Sequence, residues 1–464
     1  MSPSQSTLVV IILQCILAAT SYPNFQNLNV QNLKTFQNHN HNHIDEGMWK
    51  LKLVHRDHIA STKLPVPDDL RQRFHARMQR DVKRVADLTR RLSVAPKNYE
   101  MADFGADVVS GLDQGSGEYF VRIGVGSPPI SQYMVIDTGS DIVWVQCQPC
   151  IQCYKQSDPI FDPAASASFV IVSCSSAVCD RLDNRGCHAG KCCYKVKYGD
   201  GSYTKGTLVS ETLTIGPTLI QNMAIGCGHR NNGTFAAAAG LLGLGVLINL
   251  KCGSLSFVGQ LGGQIGGAFS YCLPNRGSRS SGWLAFGRGA FPVGAAWVPL
   301  VRSLQAPTLY YVRLSGLGVG GVRVPISEDI FQLTQLGYGG VVMDTGTAVT
   351  RLPTVAYEAF RDLFIAQTRN IPRASGISMF DTCYNLFGLD ITMFPPISFH
   401  FSDGPILNLL GKNYLLRVND VRTLCFAFAP SPSGLSIIGN IQQEGIQISF
   451  DAANGYVGFG PNVC

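Results

Sequence analysis

The tetrapeptide Asp137-Thr138-Gly139-Ser140 returns later in the chain as Asp344-Thr345-Gly346-Thr347. Each copy stands behind an apolar run, Tyr133-Met134-Val135-Ile136 and Val341-Val342-Met343, so each reads as a buried strand ending in a carboxylate. Average composition gives an Asp-Thr-Gly tripeptide about once in 5,000 positions, so two copies with matching flanks are a repeat. A second pair follows at comparable distances: Leu241-Leu242-Gly243 after the first aspartate and Ile437-Ile438-Gly439 after the second. The chain is therefore expected to hold two lobes of similar build, each presenting one aspartate, with a join near 300–308.

Composition supports this and removes other classes. The 464 residues are 45% hydrophobic and 15% charged with 49 glycines, a globular and turn-rich balance. The formal charge of +6 is local, because 46–97 carries 13 Lys and Arg against 6 Asp and Glu, while 98–464 carries 23 against 24. The main body has no basic surplus, and nucleic-acid binding is excluded. Fifteen cysteines are too many for a reducing compartment and imply disulfides and export.

The N-terminal region has its own logic. Residues 1–22 read as a signal peptide, an apolar stretch too short to span a bilayer and followed by small residues. An Asn/Gln/His-rich stretch, 24–43, reads as a solvated linker, not as a metal site built on His39, His41 and His43. From Asp68 a helix is predicted, with Leu70, Phe74, Met78, Val82, Val85, Leu88 and Leu92 on its apolar stripe and Arg and Lys on its wet faces. Ahead of the body, this basic helix reads as part of a prosegment over 23–105.

The body runs from Gly115 as a lobe over 115–303 and a second over 304–464, the second carrying a short helix after Thr354. Cys147, Cys150, Cys153, Cys174, Cys179, Cys187, Cys192 and Cys193 fall in a dense insert. A zinc or iron–sulfur ligand set is the alternative for Cys147-x-x-Cys150-x-x-Cys153, and export favours disulfides. Tyr198-Gly199-Asp200-Gly201-Ser202 sits between two alternating strands as a hairpin tip. Asn232-Gly233-Thr234 is a candidate N-glycosylation acceptor.

Two carboxylates held within hydrogen-bonding distance do not both ionise easily and share one proton over an acidic range. The charged member can take a proton from a water between them while the neutral one donates to a carbonyl, which is acid–base hydrolysis of a peptide bond without metal, cofactor or covalent intermediate. Gly139 and Gly346 allow close approach of the two loops, Thr138 and Thr345 can bond across them, and Ser140 and Thr347 can donate to the outer carboxylate oxygens.

On these motifs, with Trp144 seven residues after Asp137, the chain resembles the pepsin-like aspartic proteases, in particular the nepenthesin-like plant group that includes the guard-cell aspartic proteases. The resemblance covers 115–464 and extends more weakly to Leu51-Lys52-Leu53-Val54-His55-Arg56-Asp57. It implies an all-β, bilobal acid protease fold with a few short helices, preceded by a helical prosegment. It also implies an endopeptidase made as a zymogen, with Asp137 and Asp344 catalytic, Tyr198 closing over substrate, and Trp144 supporting it by a hydrogen bond. The implied disulfides are Cys147–Cys150, Cys153–Cys227, Cys174–Cys192, Cys179–Cys187, Cys272–Cys464 and Cys383–Cys425. Cys193 and Cys252 depart from the pattern, the latter within an apolar insertion at 246–252. The implied partners are a polypeptide substrate and the chain's own prosegment as inhibitor. The expected form is a monomer without a membrane anchor, secreted to the apoplast or cell wall, with vacuole and plastid as alternatives. An inhibitor- or receptor-like binding protein on the same fold is the competing reading.

Overall fold

The computed structural model describes residues 49–56, 70–93, 119–182, 184–198, 202–233, 235, 237–245, 255–275, 282–386, 391–418, 423–431 and 433–460. The signal peptide, the His-rich stretch, the helix start at Asp68, the hairpin tip 199–201, the 246–252 insertion with Cys252, and Cys464 lie outside them. The fold is mostly β-sheet with few helices.

The repeat seen in the sequence is a repeat in the sheets. Strand Ile130–Asp137 runs parallel to Gly240–Gly243, with Gly243 in register with Asp137. In the second half, Val341–Met343 runs parallel to Ser436–Ile438, with Met343 opposite Ile438, and Asp344 N donates to Ile438 O at 3.2 Å. Both aliphatic strands also take an antiparallel partner from the chain that leaves the Asp-Thr-Gly loop, Val143–Gln146 in one half and Arg351 of Thr350–Pro353 in the other. Each aspartate thus stands at the end of a buried run, Met134–Ile136 in one half and Val341–Met343 in the other.

A six-stranded antiparallel sheet joins the halves. Its order is Trp49–His55, Gly282–Phe286, Ala268–Cys272, Gln447–Asp451, Tyr456–Phe459 and Ala296–Val301. The two halves meet where Phe269 stacks on Phe450 with ring centres 4.9 Å apart. The edge strand Trp49–His55 comes from the basic N-terminal region and alternates, Leu51 and Leu53 inward and Lys50 and Lys52 outward.

The predicted helix spans Leu70–Ser93 in the described chain. Phe74 and Met78 pack on Ala348, Val349, Phe380 and Ile441, and Val85 and Leu88 on Tyr311, Val342 and Ile437. Val82, expected on the buried stripe, is instead 51% exposed. The inward turn at that point is taken by Asp81 and Arg84, both buried. The helix predicted after Thr354 spans Thr354–Gln367 and buries Ala356, Tyr357, Phe360 and Phe364. A helix at Phe257–Ile265, capped by Ser256 Oγ accepting from Gly259 N, was not foreseen.

The disulfides correct four of the expected pairings. Cys147 bonds Cys227 and Cys150 bonds Cys153, in place of Cys147–Cys150 and Cys153–Cys227. The parallel strands Val143–Gln146 and Thr218–Asn232 bring Val145 opposite Cys227, and Cys147 N bonds Gly228 O just beyond. Cys179 bonds Cys192 and Cys174 bonds Cys187, in place of Cys174–Cys192 and Cys179–Cys187. Burial sorts these: Cys179 and Cys192 lie in the core, while Cys174 and Cys187 lie on the wet side of the hairpin. Cys383–Cys425 forms between directly opposed residues of neighbouring strands. Cys272 is disulfide-bonded, and its expected partner Cys464 is outside the described residues. Cys193 is a free, half-buried thiol.

Candidate active site

The two Asp-Thr-Gly loops meet face to face. Thr138 N donates to Thr345 Oγ1 at 3.2 Å and Thr345 N donates to Thr138 Oγ1 at 3.0 Å, a reciprocal lock in which each threonine satisfies the other's buried amide. Asp137 accepts from Gly139 N at 2.9 Å and from Ser140 Oγ; Asp344 accepts from Gly346 N at 3.2 Å and from Thr347 Oγ1. All eight loop residues are buried. These donors orient both carboxylates toward a common point.

That point is occupied by Arg84 of the N-terminal helix. Its Nη2 donates to Asp137 Oδ1 at 2.7 Å and to Asp344 Oδ1 at 2.8 Å, its Nη1 to Asp137 Oδ2 at 3.0 Å, and its Nε to Asp344 Oδ2 at 2.9 Å. The guanidinium lies between the two loop glycines. A Cβ on Gly139 would come within 2.2 Å of Nη2, and one on Gly346 within 3.0 Å of Cζ. A side chain at Gly139 would displace the planar group, and one at Gly346 would crowd it. Arg suits the position because its fork gives each carboxylate two hydrogen bonds, four in all, where an ammonium has three donors.

The electrostatics follow from this contact. Burial alone pushes the Asp344 carboxyl upward, but the charge and hydrogen bonds of Arg84, with the bonds from Thr347 and Gly346 N, outweigh it and hold Asp344 below the ordinary carboxylate range.

Other helix residues extend the contact along the same cleft. Asp81 accepts from Ala348 N, from Val349 N at 2.8 Å and from the Arg351 guanidinium. Arg77 Nη2 donates to Asn440 Oδ1 at 2.8 Å, and Asn440 Nδ2 in turn holds Thr345 O at 3.0 Å. From sequence, Arg and Lys fall on the wet faces of a basic helix expected to lie against the cleft carboxylates; Arg77, Arg80 and Arg84 are instead buried. The signal was in the spacing: Arg77, Asp81 and Arg84 stand four and three apart, on the same face as Phe74, Met78, Val85 and Leu88.

Across the cleft, Trp144 Nε1 donates to Tyr198 OH at 2.8 Å, and both rings pack edge-on to Phe235. Tyr198 N bonds Ser202 O, closing the base of the hairpin. Asn232 stands exposed at the end of its strand, and Thr234 of its sequon is outside the described residues.

Residues 119–288 match the family described as xylanase inhibitor N-terminal and 309–461 the one described as xylanase inhibitor C-terminal. The chain is 60% identical over 457 residues to the Arabidopsis thaliana protein named ASPARTIC PROTEASE IN GUARD CELL 2, covering 96% of this chain and 95% of that one. It is 39% identical over 356 residues to aspartic proteinase nepenthesin-1 of Nepenthes gracilis, covering 75% of this chain and 79% of the relative. Among solved structures it superposes on that of edgp with a TM-score of 0.60 at 20% identity, over 74% of this chain and 91% of the other, a likeness of fold.

Proposed function

The chain belongs to the plant pepsin-like aspartic proteases, which are aspartic-type endopeptidases, and from that premise we propose that Asp137 and Asp344 are its catalytic pair in a zymogen held shut by Arg84. The observation that carries this reading is the convergence of both carboxylates on one guanidinium. Carboxylates that close together, once the arginine withdraws, share a proton and regain the acid–base asymmetry hydrolysis requires. The ionised member removes a proton from a water between them, and that water attacks the scissile carbonyl. The protonated member donates to the carbonyl oxygen, and the tetrahedral adduct collapses as its nitrogen is protonated. Ser140, Thr347 and the amides of Gly139 and Gly346 keep both carboxylates in plane, and Thr138 with Thr345 fixes their separation. Tyr198, braced by Trp144, closes over a bound peptide.

Residues 23–105 act as the prosegment in this account, and Arg84 blocks twice: it fills the cleft and supplies the positive charge that the shared proton would otherwise supply. Residues 1–22 serve as the signal peptide, and the disulfides suit secretion to the apoplast or cell wall of a monomer, with Asn232 as a glycan site. No helix among the described residues is long and apolar enough to cross a membrane. The family descriptions favour a second reading, a binding protein of the inhibitor type. One assay separates the two. Full-length protein brought to acid pH should cleave itself within the N-terminal region and then hydrolyse casein; no hydrolysis at any pH would favour the binding protein.

A further inference from the structure

We infer that Arg351, with the amides of Ala348 and Val349, forms an anion subsite in the opened cleft that selects an acidic side chain of the substrate. The inference rests on the proposed catalytic reading and concerns what the cleft prefers to cut.

The N-terminal helix fills the cleft, so its contacts report the chemistry of the walls. One turn before Arg84, the Asp81 carboxylate is received by three donors: Oδ1 by Ala348 N and Val349 N, and Oδ2 by Arg351 Nη2. The three donors follow directly on the second catalytic loop, Ala348 being the next residue after Thr347. Their backbone is fixed, because Arg351 lies in a strand in register with Ala429 on one side and Ile437 on the other. Arg351 itself is 5% exposed, Asp81 is its ionic partner among the described residues, and its buried Nε has no hydrogen-bond partner.

When the helix leaves, two backbone N–H groups and the Arg351 guanidinium face the cleft with water as their acceptor. A substrate that covers them displaces that water and must supply acceptors in its place, above all for the cation. A main-chain carbonyl of substrate could satisfy the amides, but it leaves the charge unmatched. A Glu or Asp side chain reproduces what Asp81 supplied. The helix rises about 1.5 Å per residue, so Asp81 and Arg84 are roughly 4.5 Å apart along its axis. That puts the subsite within a few residues of the scissile bond of an extended peptide, which advances about 3.3 Å per residue.

The test uses the full chain after acid activation and a peptide set with one fixed cleavage site, in which Glu or Gln is placed in turn at each of four positions on either side. At pH 5 one position should favour Glu over Gln by about tenfold in kcat/KM, carried by KM, as for one charge-assisted hydrogen-bonded pair. The preference should collapse in Arg351→Gln, survive in part in Arg351→Lys, and fade in the wild type at pH 3, where the peptide carboxyl, with pKa about 4.3, is protonated. Wild-type cleavage indifferent to Glu at every position, or a Glu preference unchanged in Arg351→Gln, would overturn the subsite. Failure to cut any peptide would instead overturn the catalytic reading beneath it.

Discussion

Arg84 Nε lies 2.9 Å from Asp344 Oδ2, and Asp344 has no exposed surface. A buried charge of either sign persists only when it is matched, so docking of the helix and ionisation of Asp344 are coupled. Arg84→Gln removes the match and leaves two carboxylates facing an uncharged amide. Docking should weaken by about 3–5 kcal/mol, the range for breaking a buried pair. The full-length variant should then show proteolytic activity at a pH where the wild type is silent. Equal onset of activity in the two proteins would remove Arg84 from the latch.

The same contact sets a direction with pH. Asp344 is held below its ordinary range while the helix is docked, so the docked form binds fewer protons than the open form. The contribution of this contact is fully present above the ordinary carboxyl pKa of about 3.9, and is lost as pH falls through the depressed value. Amide protection in Leu70–Ser93, taken relative to intrinsic exchange at each pH, should therefore fall below about pH 4, and in Arg84→Gln it should already be low above it. Protection that stays constant into strong acid would contradict the linkage.

The threonine lock has a local energetic signature. In Thr345→Val the hydroxyl that accepts Thr138 N at 3.2 Å is lost, with little change in volume. A buried amide left without an acceptor costs about 1–3 kcal/mol. Thermal unfolding should fall accordingly, and kcat should fall with it because the carboxylates lose their fixed separation. Thr138→Val should do the same from the other lobe, and the double variant should lose less than the sum, since the two bonds are reciprocal.

Tyr198→Phe isolates the contact with Trp144. The ring keeps its packing on Phe235, while Trp144 Nε1, buried in the core, loses its acceptor. The stability loss should be about 1–3 kcal/mol, and kcat/KM should drop for a long peptide. Unchanged kinetics with reduced stability would make the pair a packing device only.

How far these features could be read from sequence depended on whether they repeat or follow a period. The two Asp-Thr-Gly loops and their Leu-Leu-Gly and Ile-Ile-Gly strands were legible because duplication exposes them, and the donors Ser140 and Thr347 followed from their offset. The helix was legible from its apolar spacing, but the inward place of Arg84 and Asp81 was not, because long charged side chains on an amphipathic helix are ordinarily solvated. What reversed that expectation is tertiary: the carboxylates of Asp137 and Asp344, and the donors of Ala348, Val349 and Arg351, come from the far side of the chain. Disulfide connectivity failed for a related reason. Cys187 and Cys192 oppose each other across their hairpin, yet each bonds outside it, to Cys174 and Cys179. Spacing along the chain does not encode which sulfur is buried. Non-reducing peptide mapping should recover Cys179–Cys192 and Cys174–Cys187 as separate linked fragments.

The most direct measurement is peptide hydrolysis by acid-activated wild type, Asp137→Asn and Asp344→Asn. Asparagine keeps the size and most of the hydrogen bonds of each site but cannot exchange the proton that the pair shares. The account predicts that kcat falls by at least about three orders of magnitude in each single variant, while a substrate-like peptide still binds. Substantial hydrolysis by either variant would contradict the assignment of the two aspartates as a catalytic pair.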